Sequence, residues 1–478
     1  MKKVTFKRDK EKDFSNWYSE IIEKAELVDL RYNVKGFVVF RPWSVRIMEI
    51  MYDLLEKELQ NKDHEPAWFP ALIPEQNLKK EAEHVEGFIP EVFWVTQGGY
   101  TVFDKKLAMR PTSETAIYPM YSIWIRSHND LPLKIYQRAQ VWRYETKATR
   151  PLLRSREFHW IEAHNCFATK EEAEKQVLED MDTTEKFMHK ELGVPSLLLR
   201  RPDWDKFPGA IYSVAADTIT PDGKVVQQPA THLLNQDFAR TFNIKFRDKD
   251  GKEKLVWQTC YGPCISRILA SVISTHGDNK GLVLPFVVSP IQVVIVPIYN
   301  IKNKAKVLSE CKKLVSKINL RTKLDNRDMG PGDKFYHWEM KGVPLRLEIG
   351  ESELKSKSYT LFLRDTGDKI KIKNLKELEK QGKFFDDRLK KSADKNFDKN
   401  IVNCKTKADI KKALDSKKIA RVNFCSMEKD GAKCAEIIEK DIAGFVRGIR
   451  WDKKEKPSGN CICCKKKANC VTYIARSY

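Results

Sequence analysis

The segment "RYETKATRPLLRSREFHWIEAH", Arg143 to His164, brings guanidinium, carboxylate, imidazole and aromatic groups together in one short run. In an extended chain, side chains two positions apart share a face. Arg143 and Glu145 then lie on one face of a first strand. Arg156, Phe158, Trp160, Glu162 and His164 lie on one face of a second. The intervening "TKATRPLLRS" reads as the turn of an antiparallel hairpin with Lys147, Arg150 and Arg154 at its tip. With both faces turned the same way, the pair floors a pocket for a small ligand bearing charges of both signs and a planar ring. Its anionic groups would lie near the basic loop. The competing reading is a solvent-facing sheet laced with cross-strand ion pairs. It accounts for Arg143 and Glu145, but not for two aromatics interleaved with Glu162 and His164.

Two further groups of residues could do chemistry. Thr112 and Glu114, two apart in "PTSE", can point the same way; alternatively they cap and open the helix "ETAIYPMYSIWIRSH". The chain has eleven cysteines, without the spacing of a small secreted framework. In a cytoplasmic chain they stay reduced, so clusters such as "CICC" point to metal rather than disulfides.

The elements that must position these groups fall into three blocks. The first, residues 1–288, mixes helices with strand-like runs. "SVRIMEIMYDLLEKEL" is an amphipathic helix with Ile47, Ile50, Met51, Leu54 and Leu55 on one stripe. "LPLKIYQRAQVWRYE", "REFHWIEAHNCF" and "EKLVWQTC" read as strands, giving an α+β block with an antiparallel sheet. The second block, 289–390, runs from the apolar strand "IQVVIVPI" through a helix with Leu308, Cys311, Val315 and Ile318 on one side to the strand "LRTKLDN". That order marks an α/β domain. It ends in the charged helical stretch "LKELEKQGKFFDDRLKK". The third block, 391–478, holds seven of the cysteines.

Composition sets outer bounds. With 41% hydrophobic and 32% charged residues, the chain reads as an ordinary soluble protein. The N-terminal "MKKVTFKRDKEKDF" lacks the apolar run of a signal peptide. The most apolar stretch, "GLVLPFVVSPIQVVIVPIY", is broken by Pro285, Pro290 and Pro297 and reads as buried strands, not a membrane helix. A net charge of +21 favours a polyanionic partner, with solubility as the plainer explanation.

The motifs together resemble a known family. "RYE", a basic loop and "REF" resemble the second signature motif of class II aminoacyl-tRNA synthetases. "WIEAH" and "RPTSETAIYPMY" resemble the prolyl-tRNA synthetases of the archaeal and eukaryotic type. "FPALIPE" is similar to the first motif, which puts Pro70 at a homodimer interface, and "CYGPCISRILASVISTHGDNKGLVLP" to the third, with Arg267 opening a helix. The resemblance implies an antiparallel-sheet catalytic domain, an α/β anticodon-binding domain and a small C-terminal α+β domain of zinc type. It implies ATP-dependent ligation of proline to tRNA(Pro) through prolyl-adenylate, with Mg²⁺ accompanying the ATP.

The same resemblance implies residue roles. Arg143 would lie between the proline carboxylate and the α-phosphate, while Arg154 and Arg267 hold outer phosphates or ribose. Glu145 would read adenine, Phe158 stack on it and Gln227 form a wall. Thr112 and Glu114 would hold the proline nitrogen, with Trp160, Glu162, His164 and His232 around the ring. Glu339 and Arg346 would meet anticodon guanines; on residue pattern alone, Arg346 and Glu348 form a surface ion pair. Cys425, Cys434, Cys461 and Cys464 would hold zinc, with Cys463 an alternative to Cys464 and Cys470 a spare; reduced, metal-free thiols are the other reading. Residues 167–257 leave no room for an editing domain. The tail "ARSY" suggests that Tyr478 reaches toward the site.

Three positions depart from the family pattern. Ala230 stands where a threonine is usual, so that contact is either lost or supplied by Thr231; Cys264 stands where glycine is frequent, and Ser352 where a basic residue follows a glycine turn. Two other functions compete: a non-catalytic tRNA-binding paralogue, disfavoured because Arg143, Arg154 and Arg267 are all present, and a synthetase of the same class for threonine or histidine, disfavoured by "WIEAH" beside "PTSE".

Overall fold

The computed structural model describes residues 8–84, 92–146 and 148–478; Lys147, at the hairpin tip, lies outside them. Six strands carry the first block: β1 (Leu133–Trp142), β2 (Glu157–Phe167), β3 (Leu197–Arg200), β4 (Ala210–Ile219), β5 (Lys224–Leu234) and β6 (Trp257–Tyr261). Helices α1 (Pro42–Gln60), α2 (Glu114–Trp124), α3 (Lys170–Thr184) and α4 (Ile265–His276) accompany them. α1 buries Ile47, Met51 and Leu55, three of its expected stripe, in one core with Val177 and Met181 of α3, Ile268 and Val272 of α4, and Ile161 and Ala163 of β2. That core seals one face of the sheet and leaves parts of the other open.

Residues 253–260 do not form the single strand read from the sequence. Glu253–Leu255 pairs with Lys245–Arg247 in a separate hairpin, and Trp257–Tyr261 alone joins the main sheet. Val256 is fully buried at the break, and Gln258 and Thr259 are buried on β6.

The second block is a five-stranded mixed sheet, β7 (Val293–Pro297), β8 (Thr322–Leu324), β9 (Leu345–Ile349), β10 (Tyr359–Leu363) and β11 (Lys369–Ile372), in the order β8-β7-β9-β10-β11. β7 is parallel to both neighbours and buried at every residue, as its unbroken apolar run requires. Helix α5 (Lys304–Val315) buries Val307, Cys311 and Leu314, one step around from the expected Leu308 and Val315, which are only half-buried. Arg364 ties this block to the first one through a two-pronged pair with Asp278, at 2.6 and 2.8 Å.

Helix α6 (Glu377–Lys399) runs straight across the block boundary expected at residues 390/391. The third block follows it with β12 (Ile401–Asn403), β13 (Ile419–Phe424), helix α7 (Ala432–Ile442), β14 (Phe445–Arg450) and β15 (Cys470–Ser477). These strands prolong the sheet of the first block instead of forming one of their own. The full order is β12-β13-β15-β14-β3-β4-β5-β6-β2-β1, with the two-residue strand Glu65–Pro66 at the far edge. β14 pairs with β3, and the end of β15 runs parallel to β5.

Gly448 makes the β14–β3 seam possible. Its φ is +135°, and a Cβ there would stand 2.1 Å from the Arg200 carbonyl oxygen. Gly448→Ala therefore combines backbone strain with a clash against main chain, and should lower the unfolding free energy by about 2–4 kcal/mol. Urea unfolding of parent and variant measures the difference; equal midpoints would contradict the seam.

Candidate functional site: a cation-lined cavity over the hairpin floor

The hairpin forms as the alternation requires. β1 and β2 pair antiparallel from Leu133↔Cys166 to Trp142↔Glu157, which sets Val141 against Phe158, Ala139 against Trp160, Gln137 against Glu162 and Ile135 against His164. Above this floor lies a cavity of about 580 Å³. Of the expected site residues, Thr112, Glu114, Arg143, Glu145, Phe158, Trp160, Gln227, His232 and Arg267 line it.

Three placements differ from expectation. Arg143 and Glu145 stand beyond the end of β1, where Arg143 N–H still bonds the Arg156 carbonyl at 2.9 Å. Glu162 and His164 are fully buried and are not among the residues lining the cavity; they support the floor. Arg154 lies outside the lining, pairs with Glu145 at 3.5 Å and donates to the Tyr478 carbonyl at 3.1 Å.

The buried support is a hydrogen-bonded cluster. Gln137 Nε2 donates to Glu162 Oε1 (2.8 Å) and to Ser113 Oγ (2.7 Å), and the Ser113 hydroxyl donates to the same carboxylate oxygen. His164 Nε2 lies 3.3 Å from Glu162 Oε2, and Tyr118 OH lies 3.1 Å from His164 Nδ1. Burial opposes protonation of His164, but the Glu162 hydrogen bond and the neighbouring carboxylates outweigh it, so its pKa is raised. Ser113 and Gln137 were missed by sequence reasoning. Gln137's position opposite Glu162 follows from the register, whereas Ser113 carried no separate signal.

Thr112 and Glu114 form the polar corner of the cavity. The Thr112 hydroxyl donates to Glu114 Oε2 at 2.5 Å, and the Cys260 thiol donates to Oε1 at 3.6 Å. The cap of α2 is Ser113, without a side-chain cap bond, so Thr112 does not serve as an N-cap. Glu114, His164 and Cys260 also converge within 4.8 Å. Burial pushes the Cys260 thiol well up, and Glu114 already accepts two hydrogen bonds, so the group reads as a hydrogen-bonded acceptor, not a metal centre.

The cations are held without counter-charges. Arg143 donates Nε to the Pro111 carbonyl at 3.0 Å and stands 5.2 and 5.9 Å from the Phe158 and Trp160 ring centres. Arg267 donates to the Leu153 and Gln227 carbonyls at 3.2 and 3.1 Å. Among the described residues, neither guanidinium has a carboxylate within ion-pair distance. Desolvation lowers the pKa of Arg143, but a guanidinium remains charged. Such cations await an anion. His232 stacks on Phe207 at 4.7 Å and meets Ser213 Oγ at 2.7 Å; burial first, then the charge of Arg201, depress it to about 3, so it is neutral at working pH.

The departures now have places. Ala230 lines the cavity, while Thr231 points to the opposite face and bonds Asp180 at 2.6 Å, so it does not replace the missing hydroxyl. Cys264 lines the cavity with its thiol 3.6 Å from the His159 carbonyl. Ser352 donates to Glu353 at 2.8 Å.

In the second block, Arg346 is 4% exposed and sandwiched between Phe335 and Phe362, 4.0 and 3.9 Å from their centres. It pairs with Glu348 (3.0 Å), as the alternative read from the sequence has it, but this pair is buried and not at the surface; Arg346 also pairs with Glu339 (2.7 Å). In the third block the sulfurs of Cys425, Cys434, Cys461 and Cys464 lie within 4.8 Å of one another. Cys463 turns away to the Cys434 carbonyl and Cys470 to that of Phe424, at 3.5 and 3.6 Å.

Comparison with known proteins gives the class first. The family model for the tRNA synthetase class II core domain (G, H, P, S and T) matches residues 93–276, that for the anticodon binding domain 292–381, and that for the prolyl-tRNA synthetase C-terminal domain 407–478. The fold and cavity are those of a class II aminoacyl-tRNA synthetase. Proline–tRNA ligases of Thermofilum pendens and Pyrococcus abyssi are 51% and 41% identical, each covering 98% of this chain and 98% of their own. Two solved structures match closely. The prolyl-tRNA synthetase of Giardia lamblia in complex with prolyl-adenylate has a TM-score of 0.94 at 38% identity, over 99% of this chain and 100% of that one. That of Cryptosporidium parvum complexed with halofuginone and AMPPNP has 0.92 at 34%, over 99% of each. The chain belongs to the prolyl-tRNA synthetases.

Behind β5, Asp180 takes hydrogen bonds from Thr231 and from Gln176 (2.8 Å), yet burial raises its pKa from 3.8 to about 7. A pKa higher in the folded than in the unfolded state contributes stability that is complete below about pH 4 and lost as pH rises through about 7. Asp180→Asn should therefore raise the Tm relative to the parent at pH 8, with the gain fading toward pH 4. A gain independent of pH would contradict an ionising Asp180.

Proposed function

We propose that the chain ligates L-proline to tRNA(Pro) by way of prolyl-adenylate. The observation that carries this reading is one cavity that joins two unpaired guanidiniums, a flat aromatic wall and the Thr112–Glu114 corner. In the first step a proline carboxylate oxygen attacks the α-phosphorus of ATP and pyrophosphate leaves. Little proton transfer is required, so fixed cations and positioning supply the catalysis. Arg143 bridges carboxylate and α-phosphate, and Arg267 covers the nucleotide. Phe158 stacks on adenine and Glu145 accepts from its amino group, with Arg154 holding that carboxylate. Thr112 and Glu114 take the proline nitrogen, and Trp160 and neutral His232 wall its ring. Glu162 and His164 act from beneath, by fixing the floor. Transfer follows when a hydroxyl of the terminal tRNA ribose attacks the adenylate carbonyl and AMP departs.

Mg²⁺ would arrive with ATP, held mostly by phosphate oxygens, since Glu114, Glu145 and Asp205 are the carboxylates lining the cavity. Zn²⁺ fits the four-thiol cluster, whose sulfurs are close enough for one tetrahedral ion; it would brace the third block and take no part in the reaction. Glu339 and Arg346 meet the anticodon guanines, Arg346 chiefly by aiming the Glu339 carboxylate it pairs with. A homodimer is supported by the exposed Trp68 (89%), Leu72 (42%), Ile123 (54%) and Trp124 (42%) around Pro70. Near this patch, behind the hairpin floor, lies a second cavity of about 540 Å³, lined by Trp68, Tyr52, Arg138 and His159. The catalytic block ends near residue 288, and the last two blocks meet after Lys399, where α6 ends.

Among the described residues no helix is long and apolar enough to cross a membrane. Residues 170–261 are taken up by α3, β3–β6 and short connecting elements, which leaves no insertion to clear misactivated alanine or cysteine.

Two experiments test this reading. Proline-dependent ATP–pyrophosphate exchange should be present, with Arg143→Gln slowing kcat by about 100-fold or more and Glu114→Gln raising the KM for proline. Exchange driven by threonine or histidine instead would refute it. Elemental analysis of protein purified without chelator should find one zinc per chain, and Cys461→Ser should lose the metal and lower the Tm while the folded fraction keeps its exchange activity.

A further inference from the structure

A buried charge cluster connects the third block to the cavity wall. Arg201, just past β3, is 4% exposed, Arg447 on β14 is 8% and Asp217 on β4 is 0%. Arg201 grips both oxygens of Asp217 at 2.6 and 3.0 Å, and Arg447 grips the same carboxylate at 2.8 and 3.2 Å. Arg201 also donates to the Arg447 carbonyl at 2.9 Å. Two guanidiniums thus share one carboxylate, and a net positive charge remains inside protein beside the cavity. Arg201 Nε has no partner among the described residues.

Arg201 reaches one group beyond this cluster: its Nη2 donates to Gln227 Oε1 at 3.2 Å. A guanidinium offers donors only, so the amide must turn its oxygen toward Arg201. The NH₂ end of Gln227 is then directed elsewhere, and Gln227 is exposed in the cavity lining. The same residue's backbone carbonyl receives Arg267 at 3.1 Å. Gln227 therefore sits between a structural cation and a reactant-facing one.

We propose that Arg201, held by Asp217 and Arg447, is a positioning residue that fixes the Gln227 amide so that its NH₂ end, and not its oxygen, meets the reactants. The group it meets is an acceptor oxygen of the nucleotide or of the amino-acid carboxylate. β14 of the third block thereby acts on adenylate formation without touching a reactant. The inference rests on the reading of the cavity as the site for ATP and proline.

Proline-dependent ATP–pyrophosphate exchange by the full chain tests it, in a double-mutant cycle of Arg201→Met and Gln227→Ala. The parent is measured first: silence with proline and ATP would overturn the functional reading and this inference with it. With an active parent, each single variant should lose about tenfold or more in kcat/KM, the size of a lost charged hydrogen bond. The double variant should be no worse than Gln227→Ala alone. Losses that multiply would overturn the inference while leaving the function standing. If Arg201→Met does not fold, Arg447→Met leaves the Arg201–Asp217 pair charge-balanced and replaces it in the same cycle. Arg447→Lys should restore part of the activity; a loss that follows Tm and extends equally to tRNA affinity would also overturn the inference.

Discussion

Register between β1 and β2 is the constraint on which the site depends. The pairing sets Gln137 opposite Glu162 and Val141 opposite Phe158. A slip of one residue would send Phe158, Trp160, Glu162 and His164 to the other face of the sheet. Glu162 is fully buried, and Ser113, Gln137 and His164 converge on its carboxyl group, which would be costly to bury without such partners. Those partners come from the approach to α2, from β1 and from β2, so the carboxylate penalises any register that separates them. The buried acid beneath the floor thereby fixes the aromatic groups above it.

The sheet extends this logic beyond the catalytic block. Because β14 pairs with β3 and β15 runs beside β5, the third block continues the wall of the cavity. Tyr478 bonds Asp222 at 2.8 Å, and its carbonyl takes Arg154 from the hairpin loop. Arg154 in turn contacts Glu145. Tyr478 thereby closes a hydrogen-bond path from the turn before β5 to the loop. Stability of the third block and geometry of the cavity are therefore linked by bonds.

Much of this was legible in the sequence because it rested on period and order. Alternation located the hairpin and its inward face, the continuous apolar run located β7, and the ordered motifs located the cavity residues. What was not legible required three-dimensional partners. The stripe read in α5 put Leu308 and Val315 beside Cys311, but packing turned the neighbouring Val307 and Leu314 inward instead. The length of α6 was hidden because its last turns, near Phe397, are buried by the third block and by no local signal. The strand run at 253–260 broke because Val256 entered one core while Glu253–Leu255 paired elsewhere. Thr231 was a candidate substitute for the contact absent at Ala230, and its opposite facing on β5 excludes it.

The chain's arginines show why residue type alone cannot assign function. Arg364, Arg447 and Arg346 all hold carboxylates at hydrogen-bond distance, and their charge is spent within the fold. Among the described residues, Arg143 and Arg267 donate hydrogen bonds only to backbone carbonyls, whose partial charges orient a guanidinium without neutralising it. A cation held this way costs stability in the empty protein, and binding an anion recovers it. Sequence lists all five as the same residue. Their division into structural and reactant-facing cations is set by which carboxylates the fold brings within ion-pair distance; Glu114, Glu145 and Asp205 line the cavity without pairing with Arg143 or Arg267 among the described residues.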